Sequence, residues 1–264
     1  HRQSTQSTTM SYTHLKLVIS AFMFMWLCHR TTLAADATLR IVGGQTTTIA
    51  RAPYMVQVRY NGKFECGGTL ISTTHVLTAA HCIKGKRRAG FIIHANTTRL
   101  SQTGIRRRVS RAFVPRRFTT ATKRMDVAVL KLARAINGTY AQPIGLCNTT
   151  ITAGLRMTVL GWGTTSESSS TASNVLRRVN VPVIRKARCR RRYSGIQALT
   201  RTMFCAGVPG RKDSCSGDSG GPAIHNGRVC GIVSFGNGCA RPNYPGVYTS
   251  VPMVRRFINR ALAQ

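Results

Sequence analysis

The sequence Asp213-Ser214-Cys215-Ser216-Gly217-Asp218-Ser219-Gly220-Gly221-Pro222 places one serine between an acidic residue and a pair of glycines. A serine hydroxyl is a weak nucleophile unless a base lies beside it. The only Ala-Ala-His-Cys sequence in the chain, within Leu77-Thr78-Ala79-Ala80-His81-Cys82, supplies a candidate base. Taken singly, a turn serine and a core histidine are the better explanations of these two segments, so the catalytic interpretation depends on their combination.

The scarcity of acidic residues makes their positions informative. The chain has 264 residues with 39 Lys and Arg but only six Asp and Glu, giving a formal charge of +33. Asp213 and Asp218 lie in the serine segment, and Asp126 lies in Asp126-Val127-Ala128-Val129-Leu130, between the histidine and the serine. A chain drifting away from catalysis would have no physical reason to keep these three carboxylates.

The amino-terminal residues are typical of a targeting segment. We expect translation to start at Met10, so that residues 1–9 lie upstream of the protein. Residues 17–27 form an apolar run of 11 residues, within the ~7–15 of a signal peptide and short of the ~20 that span a bilayer. We therefore expect a signal peptide over residues 10–35 and a secreted, extracellular product; an uncleaved anchor or an internal core helix is the alternative.

Secretion changes the interpretation of the cysteines. Of nine cysteines, Cys28 would leave with the signal peptide, and the remaining eight predict four disulfides in an oxidising compartment. No Cys-x-x-Cys pair occurs, so neither a zinc ribbon nor a thioredoxin-type site is supported. Asn96, Asn137 and Asn148 each begin an Asn-x-Ser/Thr sequence and are candidate glycosylation sites.

The rest of the chain predicts strands rather than alternating strands and helices. The hydrophobic fraction of 42% is sufficient for a packed core. Residues 54–60 precede Asn61-Gly62, a strand followed by a hairpin turn. The other predicted strands are 67–78, 91–95, 127–132, 156–160, 179–183, 221–224 and 228–235, and helices are predicted at 184–192 and 253–262. Without βαβ alternation a parallel sheet is not expected.

Six motifs in order over about 224 residues carry a family resemblance. They are Ile41-Val42-Gly43-Gly44, Leu77-Thr78-Ala79-Ala80-His81-Cys82, Asp126-Val127-Ala128-Val129-Leu130, Gly161-Trp162-Gly163, Gly217-Asp218-Ser219-Gly220-Gly221-Pro222 and Pro245-Gly246-Val247-Tyr248-Thr249. The chain from Ile41 resembles a trypsin-like serine protease of the chymotrypsin family, with insect seminal-fluid proteases as the nearest likeness. The resemblance implies an all-β fold of two six-stranded antiparallel β-barrels, a short C-terminal helix and an active site between the barrels.

The resemblance also implies roles for the catalytic residues. Ser219 attacks the peptide, His81 takes its proton, and Asp126 orients the imidazole. The backbone N–H groups of Gly217 and Ser219 form the oxyanion hole. The chain order His, Asp, Ser is that of the chymotrypsin type.

Activation and specificity follow from the same resemblance. Cleavage after Arg40 frees the amine of Ile41, which pairs with Asp218; residues 36–40 are then a short propeptide and residues 41–264 the protease domain. Asp213 forms the floor of the primary pocket, and the small walls at Gly236 and Gly246 leave room for Arg or Lys. Phe235 occupies a position at which the family usually has tryptophan. The smaller ring offers less contact surface to the substrate residues that precede the cleaved bond.

By position in the family, three cysteine pairs are expected: Cys66–Cys82, Cys189–Cys205 and Cys215–Cys239. Cys147 and Cys230 remain. Because the number of cysteines in the secreted chain is even, we expect these two to form the fourth disulfide, and two free thiols are the alternative. Residues 95–106, which match the calcium loop of some trypsins, contain no acidic residue, so no calcium site is expected there. No metal and no other cofactor is implied.

The expected function is therefore a secreted serine endopeptidase acting on proteins or peptides after Arg or Lys. Its zymogen would be cut by a trypsin-like protease or by itself. Basic runs at 84–88, 106–108, 116–117 and 185–192 indicate a polyanion-binding surface, with a merely solvated surface as the alternative. No motif supports specific nucleic-acid binding. The alternative function is a basic anion- or glycosaminoglycan-binding protein on a protease fold whose activity is lost or dispensable.

Overall fold

Thirteen short strands and two α-helices organise residues 44–264, the part of the chain that the computed structural model describes. The strands are β1 Gln45–Thr46, β2 Met55–Tyr60, β3 Lys63–Ser72, β4 His75–Thr78, β5 Phe91–Ala95, β6 Ile105–Phe113, β7 Ala128–Leu132, β8 Arg156–Gly161, β9 Arg177–Ile184, β10 Met203–Ala206, β11 Pro222–His225, β12 Arg228–Phe235 and β13 Gly246–Ser250. The helices are α1 Lys186–Arg192 and α2 Val251–Leu262. Neither helix has both the length and the apolar character needed to cross a membrane.

The first barrel closes in the order β2-β3-β4-β7-β6-β5, with antiparallel pairing throughout. Its first hairpin turns at Asn61 and Gly62, whose φ angles of 48° and 82° suit the tight turn that follows a twisted strand. Alternate side chains such as Val56, Leu70 and Ile93 are fully buried and fill the interior.

The second barrel is formed by β8-β9-β10-β13-β12-β11. Pairing of β8 with β9 closes this ring, and β1 adds to the other side of β9 at Gln45 and Thr46. Buried residues such as Met157, Val181 and Tyr248 fill its core. The predicted fold of two six-stranded antiparallel barrels is confirmed.

The C-terminal helix α2 packs its apolar face onto the larger hydrophobic core. Val254, Ile258 and Ala261 are buried, whereas Arg256 and Arg260 on the opposite face are exposed. The helix begins two residues earlier than the predicted 253–262, because Pro252 fits its first turn, where no N–H donor is needed.

The single strand predicted for residues 67–78 was wrong. A turn at Thr73 and Thr74 divides this segment between β3 and β4, which pair with each other. The sequence also failed to predict β6, whose only buried side chain is Val109. Its alternate positions carry arginine in place of apolar residues, so the usual two-residue hydrophobic pattern is missing.

Candidate active site

His81 is held close to Asp126 by the end of the first barrel. It lies in a single 3₁₀ turn, Ala80–Cys82, directly after β4, and the Cys66–Cys82 disulfide ties this turn to β3. Its backbone N–H donates to Asp126 Oδ1 at 2.9 Å, and its Nδ1 lies 2.8 Å from Asp126 Oδ2. The imidazole is 18% exposed while the carboxylate is fully buried. A proton on Nδ1 leaves Nε2 with a lone pair, as a general base requires.

The second barrel completes the surroundings of Asp126. Ser234 Oγ on β12 donates to Asp126 Oδ2 at 2.5 Å, and Thr249 Oγ1 on β13 donates to the Asp126 carbonyl at 2.9 Å. A buried carboxylate is stable only when such donors satisfy it. Sequence reasoning missed both residues; the only signal for Ser234 is its position directly before the pocket residue Phe235.

Ser219 is held at the junction of the two barrels. Its backbone carbonyl accepts a hydrogen bond of 2.9 Å from the N–H of Gly67 on β3. The N–H of the next residue, Gly220, donates a hydrogen bond to the carbonyl of Val233 on β12. A Cβ at Gly67 would lie 3.1 Å from Gly221 Cα, so glycine permits this close approach. Among the described residues the Ser219 hydroxyl makes no hydrogen bond to His81. Catalytic hydrogen bonds are often long in substrate-free structures and tighten on binding.

The backbone around Gly217 can present unpaired donors. Gly217 has a φ of 90°, a conformation that favours glycine, and a Cβ there would lie 3.2 Å from Gly163 Cα. Within residues 44–264, the N–H groups of Gly217 and Ser219 donate to no acceptor. Both are therefore available to a ligand oxygen.

Asp218 is fully buried directly before Ser219 in the chain. Its carboxylate accepts from the N–H of Gly163 at 2.8 Å and of Cys215 at 2.9 Å. A Cβ at Gly161 or Gly163 would lie 2.1 or 2.4 Å from this carboxylate, which explains the two glycines of the Gly-Trp-Gly motif. Burial raises the pKa of Asp218 to about 6, although the two N–H donors and the positive charge of Arg177 lower it. Arg40 and Ile41, with residues 1–9, 10–35 and 36–40, lie outside the described residues.

Asp213 is a second buried carboxylate, 1% exposed. It accepts from the N–H groups of Ser214 at 2.8 Å and Ala240 at 3.2 Å. Burial raises the pKa of Asp213 to about 7, although these donors and the N–H of Gly246 lower it. A Cβ at Gly246 would lie 2.5 Å from Asp213 Oδ1, so any larger residue would displace the carboxylate.

A cavity of about 370 Å³ opens beside Ser219. Ser214, Cys215, Phe235, Gly236 and Cys239 are among the residues that line it. Asp213 and Gly246 do not line it themselves, but Asp213 accepts a hydrogen bond from the backbone N–H of Ser214, which does. The predicted pocket residues thus divide into two that line the cavity, Phe235 and Gly236, and two that do not, Asp213 and Gly246.

Two further contacts shape this cavity. The Phe235 ring packs edge-on against Tyr193 with centroids 5.9 Å apart. Glu167, another lining residue, forms an exposed ion pair with Arg241, whose Nε lies 2.9 Å from Glu167 Oε1. Nothing in the sequence around Glu167 indicates this ion pair with Arg241.

All four disulfides are present: Cys66–Cys82, Cys147–Cys230, Cys189–Cys205 and Cys215–Cys239. In the described part of the chain, the one cluster of three metal-ligand side chains is Cys66, Cys82 and His81. Its two sulfurs are bonded to each other, so the cluster does not offer a metal site. Asn96, Asn137 and Asn148 are all exposed.

Comparison with known proteins agrees with this geometry. The family model "Trypsin" matches residues 41–258. The chain is 44% identical to seminase of Drosophila melanogaster, over 84% of this chain and 82% of seminase. It is 40% identical to the vitellin-degrading protease of Bombyx mori, over 84% and 85% of the two chains. The solved structure of neuropsin, a serine protease expressed in the limbic system of mouse brain, matches with a TM-score of 0.76 and 28% identity, over 83% of this chain and 98% of neuropsin. The chain therefore belongs to the trypsin family of chymotrypsin-fold serine proteases.

Proposed function

We propose that this chain is a secreted serine endopeptidase that is made as a zymogen and cuts peptide bonds after Arg or Lys. The observation that carries the proposal is the His81–Asp126 pair. Two bonds join His81 to a fully buried carboxylate, and Ser219 is fastened to the same barrel through Gly67. Family membership supplies the hydrolase chemistry, and the charge and burial of Asp213 support the specificity.

In the proposed reaction, residues of this chain supply the nucleophile, the base and the oxyanion donors, and water is the second substrate. Ser219 Oγ attacks the substrate carbonyl carbon while His81 Nε2 takes the hydroxyl proton, and Asp126 stabilises the resulting imidazolium. The carbonyl oxygen becomes an oxyanion that accepts from the N–H groups of Gly217 and Ser219, each donor contributing about 2.7–4 kcal/mol. His81 then gives the proton to the amine as the peptide C–N bond breaks. The amine departs, and Ser219 remains esterified as the acyl-enzyme. Water, activated by His81, hydrolyses the ester and restores Ser219.

Specificity is proposed to come from Asp213. It provides a buried negative charge, and the glycine at position 236 leaves the cavity open to a long side chain. A cationic substrate side chain would compensate that charge, whereas an apolar one would leave it uncompensated. Replacing Asp213 with serine should therefore lower kcat/KM for an Arg peptide by at least about 100-fold, as breaking a buried ion pair costs roughly 3–5 kcal/mol.

The measurement compares peptides that differ only in Arg, Lys, Phe or Ala before the cut bond. Glu167→Gln is the matched control, because Glu167 also lines the cavity but is exposed and paired with Arg241. We expect this control to keep the preference for Arg. Equal turnover of Phe and Arg by the unmodified enzyme would contradict the pocket assignment.

The raised pKa of Asp213 predicts pH-dependent binding of cations. Below a pKa of about 7 the carboxyl of the free enzyme is protonated and uncharged, so a bound guanidinium loses its partner. The inhibition constant of a small guanidinium compound should therefore weaken by roughly tenfold for each unit below about pH 7. The Asp213→Ser variant should bind weakly with no such step. An inhibition constant that stays flat from about pH 5 to about pH 8 would show that Asp213 remains ionised.

Activation is proposed to depend on the amine of Ile41. Asp218 is fully buried, with N–H donors and the nearby charge of Arg177 to stabilise it, and a buried carboxylate gains from an ammonium partner. Cleavage after Arg40 fits an activating trypsin-like protease, and it equally fits self-activation because the bond follows an arginine.

Secretion is supported by the apolar run at residues 17–27, by four disulfides and by the exposure of the three glycosylation candidates.

The presence of both His81 and Ser219 favours peptide hydrolysis over a purely anion-binding role, because a binding protein has no use for a nucleophile beside a base.

A further inference from the structure

A long groove runs beside the exposed face of α2. It consists of two adjoining cavities of about 780 and 820 Å³ that share the lining residues Arg117, Met125, Arg256, Phe257 and Arg260. We name it the arginine groove after the six exposed arginines that line it. They are Arg116, Arg117, Arg124, Arg201, Arg256 and Arg260.

The arginines of this groove have no carboxylate partner among the side chains of residues 44–264. The five acidic residues in that range are all committed elsewhere. Glu65 pairs with Lys86 and Glu167 pairs with Arg241, while Asp126, Asp213 and Asp218 are buried in the active site. Six guanidinium groups with no carboxylate side chain of residues 44–264 paired to them create a strongly positive field along one groove.

This positive surface continues onto α1. Burial lowers the pKa of Lys186, and the charges of Arg190 and Arg201 lower it further. Lys186 and Arg190 lie on α1, whereas Arg201 lines the groove. The field at the Arg201 end is therefore extended by the five basic residues of α1 and by Arg185, which directly precedes the helix.

We propose that the arginine groove binds a sulfated polysaccharide chain. Planar guanidinium groups bind sulfate through paired hydrogen bonds, and they are less strongly hydrated than ammonium groups. Their distribution along a groove suits a linear polymer with repeated anions better than a single small anion.

The lining favours a polysaccharide over nucleic acid. Single-stranded nucleic acids bind where aromatic side chains offer exposed faces for base stacking. The two aromatic residues of the groove, Phe113 and Phe257, are partly buried and pack against the hydrophobic core. Four disulfides are typical of proteins in an oxidising compartment, which is extracellular if the proposed secretion is correct.

The test uses a heparin fragment of defined length and the secreted chain. We expect the triple variant Arg124→Ser, Arg256→Ser, Arg260→Ser to bind the fragment at least 30-fold more weakly, as roughly three ionic contacts are lost. The logarithm of its affinity should also depend less steeply on the logarithm of salt concentration. The matched control is Arg87→Ser, Arg106→Ser, Arg108→Ser, which removes the same charge from exposed positions outside the groove. Less than a threefold loss is expected for this control.

Two outcomes would overturn the proposal. Equal losses in both triple variants would mean that overall charge, not the groove, binds the polymer. The second outcome is that single-stranded DNA binds more tightly than heparin at equal charge and salt, and that the groove variant loses this binding. Nucleic acid would then be the ligand of the groove. If the groove variant does not fold, the unmodified chain is treated with an arginine-modifying reagent in the presence and absence of heparin. The arginines that heparin protects from modification then identify the binding surface. Protection should then be concentrated at Arg124, Arg256 and Arg260, and uniform protection would contradict the groove.

Discussion

Replacement of Ser219 by alanine is expected to lower kcat/KM for an Arg peptide by about 10⁶-fold, the loss found when a serine protease loses its nucleophile. His81→Ala should have a similar effect, because the hydroxyl without its base is a poor nucleophile. The double variant should be no worse than either single variant, since the two side chains act as one unit. Residual hydrolysis above that of water would come from substrate binding and from the backbone N–H groups at positions 217 and 219, which the substitution leaves in place.

The matched control for this experiment is Ser216→Ala. Ser216 lines the same cavity three residues before the proposed nucleophile, so its replacement removes a hydroxyl from the cavity that has no proposed role in the reaction. We expect less than about a tenfold change, the scale of one lost neutral hydrogen bond. A Ser219→Ala enzyme that keeps more than about one part in a thousand of its activity would place the nucleophile elsewhere, because triad losses are far larger.

Blocking cleavage after Arg40 should abolish activity almost completely. An Arg40→Gln chain offers trypsin no basic residue at that position, so the Ile41 amine is never released and Asp218 lacks its proposed partner. Asp218→Asn should fail differently, since it is cut normally but leaves the new amine unpaired. A lost buried ion pair costs roughly 3–5 kcal/mol, so activity should fall at least about 100-fold in both cases.

Arg40→Lys is the control, because it keeps the cut and should therefore activate fully. Each variant is treated with trypsin, freed of it, and assayed on an Arg peptide, with amino-terminal sequencing to verify the cut. Full activity in uncut Arg40→Gln chain would exclude activation through Ile41.

The short motifs of the sequence mark His81, Asp126 and Ser219 as catalytic candidates, because each residue lies in a distinctive local segment that can be recognised without knowing the fold. The glycines at 161, 163 and 246 have the same origin, as they border the buried carboxylates of Asp218 and Asp213. The two-barrel fold followed from the order of these motifs by resemblance.

What could not be predicted depends on contacts between distant segments. Ser234 and Thr249 reach Asp126 across 108 and 123 residues of sequence, and nothing local marks them as its partners. The arginine groove likewise joins residues 113–125, residue 201 and α2, and of its six arginines only Arg116 and Arg117 belong to one of the four basic runs identified in the sequence. β6 was missed because its arginines replaced the apolar alternation that marks a half-buried strand.

The most direct test of the central claim is a digest of one unfolded protein by the chain cut after Arg40, with the products identified by mass spectrometry. The Ser219→Ala chain, prepared and cut in parallel, controls for traces of the activating protease. We expect new carboxyl termini at Arg and Lys from the active chain and none from the variant. Products that end at other residues, or an identical product set from both chains, would contradict the proposal that Ser219 catalyses cleavage after basic residues.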